Sequence, residues 1–176
     1  MPNRAHPSRG ADCCVSSRGE SQEFDLGILG GGSAAFAAAR RASELGARVL
    51  MVNEGLIGGT CVNVGCLPSK TLIRAAENHH QHAVSRFRGL KAEPGRVDFP
   101  ELVREKGELV AEMRGAKYAD VLASLPNVRL VVGRGRLVGR HEIAVGESRF
   151  RAEKILIATG ARPARPPIPG LADPRV

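Results

Sequence analysis

Tryptophan is absent and tyrosine occurs once, at Tyr118, so aromatic residues make up only 3% of the chain. Platforms for stacking bases are therefore scarce, and a nucleic-acid partner is not expected despite a formal net charge of +8. The basic residues are scattered and form no dense stripe. No apolar run reaches the length needed to span a bilayer. The N-terminal arginines are followed by no apolar segment, so neither a membrane anchor nor a secretory signal is expected. Cysteine is also sparse, at four in 176 residues. Without a secretory signal, so few cysteines argue against a structural disulfide framework. They point to a reducing, cytoplasmic setting in which thiols are catalytic or bind metals.

What remains is an α/β composition rich in glycine, with 21 such residues. Residues 1–22 hold few large apolar side chains and read as a mobile tail. Cys13 and Cys14 fall there, and they read as incidental thiols. Order is expected from Glu23. Phe24–Leu29 reads as a buried strand, Gly30–Gly32 as a turn, Ser33–Leu45 as an Ala-rich helix and Arg48–Val52 as the next strand, together a βαβ unit of a parallel sheet. Cys61 to about Asn78 predicts a second helix, with a polar connection over about 81–96. Asp98–Leu125 predicts a long helix from apolar residues at helical spacing, among them Phe99, Val103, Val110 and Leu122. Val128–Val132, Arg136–Val138 and Glu142–Val145, broken by glycines, read as a β-meander. Lys154–Ala158 reads as one more buried strand, and the prolines from Pro163 to Pro169 end regular structure.

The first turn reads Gly30-x-Gly32-x-x-Ala35. It follows a strand, opens a helix and begins a βαβ unit, the context in which this fingerprint binds a dinucleotide. Gly30 permits the tight turn, Gly32 lets the backbone approach a pyrophosphate at the helix N-terminus, and Ala35 lets helix and strand pack closely. An acidic residue is expected about 20 positions on, to hold the ribose. The chain offers Asn53 and Glu54, and both remain candidates.

About thirty residues further on stands Gly58-Gly59-Thr60-Cys61-Val62-Asn63-Val64-Gly65-Cys66-Leu67-Pro68-Ser69-Lys70. Cysteines at i and i+5 of an ideal helix lie about 7.5 Å apart along its axis, and a disulfide needs Cα atoms closer than about 7 Å. A Cys61–Cys66 bridge therefore calls for distorted backbone, with Gly65 as the permissive residue and Pro68 as the disruptive one. A helix N-terminus favours the attacking thiolate. Lys70, one turn after Cys66, can stabilise negative charge on sulfur or on a reduced cofactor. Half of a zinc site is the rival reading. Its further ligands would have to come from His79, His80 and His82, which read instead as a solvated helix end.

The run at 58–70 resembles the active-site motif of the class I pyridine nucleotide–disulfide oxidoreductases, and Ala158-Thr159-Gly160 resembles their second FAD-contacting turn. The resemblance extends from about Glu23 to the end of the chain. Within the family, Ile73-Arg74-Ala75-Ala76, Arg114–Tyr118 and Pro166–Leu171 resemble the mercuric reductase branch.

The resemblance implies a Rossmann-type FAD-binding domain over 23–176, with parallel sheet, long helix and β-meander, incomplete relative to the family. It implies FAD contacts from Gly59, Thr60, Lys70, Ala158, Thr159 and Gly160 besides the first turn. NADPH would reduce FAD, which would open a Cys61–Cys66 disulfide, with Cys66 against the flavin and Cys61 as the interchange thiol. The two thiolates would then hold Hg²⁺ for reduction to Hg⁰, with Tyr118 beside the metal. A small organic disulfide, as in dihydrolipoamide dehydrogenase, is the alternative substrate, and a non-catalytic FAD- or soft-metal-binding remnant is another alternative. The family also has an NADPH-binding domain and a dimerisation domain and works as a homodimer. Neither domain is found in these 176 residues, so the chain is expected to be truncated and to turn over little by itself.

Overall fold

Short β-branched and aliphatic runs build a parallel sheet only if helices return the chain between strands, and this chain supplies those helices. The computed structural model describes residues 23–84, 89, 95–164 and 166–171. The tail, with Cys13 and Cys14, lies outside the described residues, as does most of the predicted polar connection.

Strand β1 (Glu23–Leu29) leads through the glycine turn into helix α1 (Ser33–Glu44) and strand β2 (Val49–Asn53). A long helical excursion follows: α2 (Gly59–Asn63), α3 (Cys66–Ala83), α4 (Phe99–Arg114), a π-helical turn (Gly115–Ala119) and α5 (Asp120–Ala123). The chain closes with β3 (Val128–Val132), β4 (Gly135–Gly139), β5 (Glu142–Val145) and β6 (Ser148–Ile157). The six strands form one sheet in the order β3-β2-β1-β6-β5-β4.

β1 pairs in parallel with β2 on one side, Leu26 opposite Val49, and with β6 on the other, Leu29 opposite Ile157. The order therefore turns about at β1 and β6. Ligands of open α/β sheets bind outside the carboxyl ends of the strands at such a point.

Three expectations need correction. Val128–Val132 is not part of the meander: β3 pairs in parallel with β2, Val49 opposite Val128. The helical excursion is the crossover that delivers β3 in that direction, and only β4, β5 and β6 form the antiparallel meander. The last strand starts earlier than predicted, at Ser148, because its first residues pair with β5 and its later ones with β1. The helix predicted from Cys61 is two helices, broken at Val64 and Gly65.

The core alternates across the sheet as period-2 strands require. Ile28, Val49 and Met51 pack with Ala35, Phe36 and Ala39 of α1 on one face. Leu29, Leu50 and Val52 pack with Ile143 and Phe150 of the meander on the other. The helical excursion shares little of this burial. α3 has no buried residue and α4 has only Val110. Phe99, predicted on the apolar side of the long helix, is 60% exposed. No described helix is long and apolar enough to cross a membrane.

Candidate functional site

The glycine turn is built by contacts that leave no room for a side chain. The Gly30 N–H donates to the Val52 carbonyl at 2.8 Å, and the Ala158 N–H donates to the Leu29 carbonyl at 2.8 Å. Gly30 has φ 123°, and a Cβ there would lie 2.0 Å from the Ala158 carbonyl oxygen. The first turn and Ala158-Thr159-Gly160 thus lie against each other at the ends of β1 and β6. Gly32 caps α1 without any side-chain acceptor, and the first turn of α1 holds no acidic residue. Its N–H groups are left for an anion. Ala35 is completely buried beneath that turn, as close helix–sheet packing requires.

The segment ahead of the cysteines crosses this turn at backbone contact. The Gly58 N–H donates to the Gly31 carbonyl at 2.7 Å. A Cβ on Gly59 would come within 2.9 Å of the Gly32 Cα. Asn63 fastens the crossing: its Nδ2 donates to the Ile57 and Gly59 carbonyls, both at 2.9 Å. Its Oδ1 accepts from Arg114 at 3.0 Å, which ties α2 to the end of α4. Sequence reasoning quoted both residues within longer motifs and gave neither a role. Arg114 is 51 positions from Asn63, and no local pattern marks the pair.

The dithiol straddles the helix break. Cys61 lies in α2, Cys66 is the first residue of α3, and both are exposed free thiols. A Cβ on Gly65 would stand 2.9 Å from the Thr60 carbonyl oxygen and 3.4 Å from the Cys61 Cα. The absence of a side chain there lets α3 begin directly over the Cys61 backbone. Pro68 does not disrupt. It lies in the first turn of α3, where its missing N–H breaks no intrahelical bond. The Cys61 thiol is held above the usual range, first by its hydrogen bond with Cys66, then by desolvation and by the charge on Cys66. The Lys70 ammonium acts the other way. The Cys61 thiol is thus coupled to Cys66 and to the Lys70 ammonium, which push it in opposite directions.

A cleft of about 700 Å³ joins these parts, a size in the range of small-molecule and cofactor sites. Gly30, Gly32, Asn53 and Glu54 line it from the sheet side. Gly59, Thr60 and Cys61 line it from the dithiol segment, and Ala158, Thr159 and Gly160 from the end of β6. Ala35, Cys66, Lys70 and Tyr118 are not among its walls. Asn53 ends β2, with its Nδ2 donating to the Gly55 carbonyl at 3.0 Å. Glu54 stands one residue beyond, exposed. Tyr118 sits in the π-helical turn with its hydroxyl 3.3 Å from the Ser33 Oγ and its ring edge-on to Phe36. These contacts are with the start of α1, and a Cβ on Gly58 of the dithiol run would meet the same ring at 3.4 Å. His80 and His82 are exposed on the last turn of α3. Among the described residues no group of three or more His, Cys, Asp or Glu could hold a metal ion.

A profile of the family described as pyridine nucleotide-disulphide oxidoreductase matches residues 24–176. The chain belongs to that family. A mercuric reductase of Lysinibacillus sphaericus is 44% identical over 148 residues, which are 84% of this chain and 27% of that protein. A mercuric reductase of Staphylococcus aureus is 42% identical over 85% of this chain and 27% of its own length. Among solved structures, RclA from Escherichia coli, a HOCl-induced flavoprotein disulfide reductase, aligns with TM-score 0.68 and 31% identity. That alignment covers 84% of this chain and 30% of RclA. A Cu(II) complex of RclA aligns with TM-score 0.69, also at 31% identity. The chain thus spans about a quarter to a third of the lengths of these family members.

Proposed function

We propose that residues 23–176 are the FAD-binding part of a cytoplasmic, NADPH-dependent mercuric reductase. In this reading residues 1–22 are a tail, and nicotinamide binding and homodimerisation belong to other segments of the whole protein. The observation that carries the reading is the crossing of Gly59 over Gly32, which sets Cys61 on the wall of a cleft that also holds the dinucleotide turn. The glycine cradle fits FAD: Gly30 and Gly59 run too close to neighbouring backbone to carry a Cβ, and both line the cleft onto which the N-terminus of α1 opens.

FAD, when bound, supplies a two-electron carrier between a nicotinamide and the dithiol. The protein's own groups bind and poise. The uncapped N–H groups of α1 take the diphosphate, and Asn53 or Glu54 accepts from the ribose hydroxyls. Gly59, Thr60 and the Ala158–Gly160 turn close around the ligand. Cys66 would be the thiol toward the flavin and Cys61 the one toward the substrate, and Lys70 would offset negative charge on the reduced pair. Two electrons delivered to a Cys61–Cys66 disulfide would break the S–S bond and yield two thiolates, which would bind Hg²⁺, a soft ion suited to sulfur. The metal assignment draws support from the mercuric reductases that share 42–44% identity with this chain. In it, Tyr118 stands beside the metal.

A second reading has its own support in RclA, a disulfide reductase with a Cu(II) complex: the same dithiol would act on an organic disulfide or hold another soft metal. One experiment separates the two. The reduced chain, loaded with FAD, is titrated with Hg²⁺ and then alkylated. With a monothiol competitor present, one equivalent is expected to protect Cys61 and Cys66 together, and Cys61→Ser or Cys66→Ser to abolish protection of the remaining thiol. In a protein that also carries the nicotinamide domain, Hg²⁺-dependent NADPH oxidation is expected. Turnover of lipoamide without it would overturn the mercury assignment.

A further inference from the structure

Little apolar packing holds the dithiol in place. α2 buries only Val62, and α3 buries nothing. Polar ties stand in for packing. Asn63, two residues after Cys61, makes two of them through its Nδ2, to the Ile57 and Gly59 carbonyls ahead of the cysteine. Arg114 takes the other end of that amide, donating to its Oδ1 at 3.0 Å. Arg40, Arg41, Arg74 and Arg104 each bond a carboxylate within their own helix. Arg114 instead sends its guanidinium to a neutral amide on another element. Its own footing is firm. Four residues on, Tyr118 rests edge-on against Phe36 with its hydroxyl 3.3 Å from the Ser33 Oγ. Tyr118 lies in the π-helical turn, a rare geometry that is frequent at functional sites. The helix around Arg114 is thus fixed to α1, while the Arg114 side chain reaches α2.

Two thiols close to a disulfide readily when they are already held within reach, because the freedom they keep as thiols is lost on closure. The Cys61 thiol already engages Cys66. An amide whose oxygen is taken by a cation presents its N–H groups to the carbonyls on its other side. We propose that Arg114 is a positioning residue of the dithiol. By orienting the Asn63 amide it holds the Cys61 backbone where the disulfide can close, and so sets the balance between dithiol and disulfide. The proposal rests on the reading of Cys61 and Cys66 as a redox pair. It goes beyond that reading by giving a redox role to a residue far outside the run at 58–70.

Equilibration of the 176-residue chain with glutathione and glutathione disulfide, at fixed pH and without air, tests it. Closure passes two electrons and two protons from the two thiols to glutathione disulfide, which becomes two glutathione molecules. Acid quench, alkylation and peptide mass spectrometry read the Cys61–Cys66 disulfide separately from Cys13 and Cys14. Arg114→Gln is expected to lower the closure constant about tenfold, the scale of one charge-assisted hydrogen bond. Asn63→Ala should lower it as much, and the double variant no further, since the two residues act as one unit. Arg114→Lys, which keeps a charged donor, should recover part of the loss. Arg104→Gln removes a charge from the same helix at exposed ion pairs and should leave the constant unmoved. Far-ultraviolet dichroism checks folding, and the two Arg114 variants decide the matter alone if Asn63→Ala does not fold. A constant unchanged in Arg114→Gln overturns the proposal and leaves the redox pair standing. So do additive losses in the double variant, or an equal loss in Arg104→Gln. A parent chain that forms no Cys61–Cys66 disulfide at any glutathione ratio overturns both.

Discussion

The sheet and the helical excursion differ in what holds them. In β2, four of five residues are buried, and each faces a packed layer. In α3 none of eighteen residues is buried, and Ile73 is an apolar side chain more than half exposed. The dinucleotide turn belongs to the first region and the second cysteine to the other. The candidate site therefore joins a tightly packed half, which holds the dinucleotide turn, to a lightly packed half carrying the second sulfur of the proposed redox pair. Local opening is expected to cost less where few apolar contacts are buried.

The largest expected effect lies in the sheet. Leu50→Ala should cost about 2–5 kcal/mol, because Leu50 is completely buried and the layer around it cannot collapse fully. Urea unfolding followed by circular dichroism reads this, and a loss below about 1 kcal/mol would break the comparison.

The join between the two regions comes next. Asn63→Ala removes two bonds to backbone carbonyls and strands Arg114, at an expected cost of about 1–3 kcal/mol. Hydrogen exchange should show faster opening of α2 with the β1 and β2 amides unchanged. Acceleration in the strands as well would mean that the two regions open as one.

A third prediction concerns charge at the root of α3. Lys70 favours the Cys61 thiolate, so Lys70→Met should raise the Cys61 pKa further and move its alkylation profile to higher pH. Cys66→Ala should move the profile the other way, since Cys66 is the main cause of the elevation. Alkylation rates of the reduced chain, read by peptide mass spectrometry, check both signs. An unmoved profile in both variants would detach Cys61 from its neighbours.

The smallest effect is expected on the outer helix. Ile73, 56% exposed, should tolerate alanine within about 0.5 kcal/mol. A larger loss by the same urea measurement would show that α3 is packed more firmly than its exposure indicates.

Much of the sheet was legible because its signals are local. Phe24–Leu29 and Arg48–Val52 are short apolar runs bounded by Gly and Asn, and Gly30-x-Gly32-x-x-Ala35 sits between them. The placement of β3 was not legible. Val128–Val132 looks like any short strand next to Gly133, and its partner is decided by the crossover that precedes it, not by its own residues. The break between α2 and α3 was half legible. The geometry of cysteines at i and i+5 demanded a distortion and Gly65 marked its place, but Pro68 was misread because proline in a first helical turn costs nothing. The link from Asn63 to Arg114 was invisible, since only the folded chain brings α2 to the end of α4.

The crossing of Gly59 over Gly32 has a consequence for anyone moving parts between proteins. Gly59 makes room for the Gly32 backbone, so the two motifs share one mechanical joint and are not independent modules. A dithiol segment grafted onto another nucleotide-binding sheet would have to bring its own glycine at the crossing. Lacking it, the graft would be pushed away from the turn. The sulfur would then miss the ligand it is meant to reach, however faithfully its own sequence had been copied.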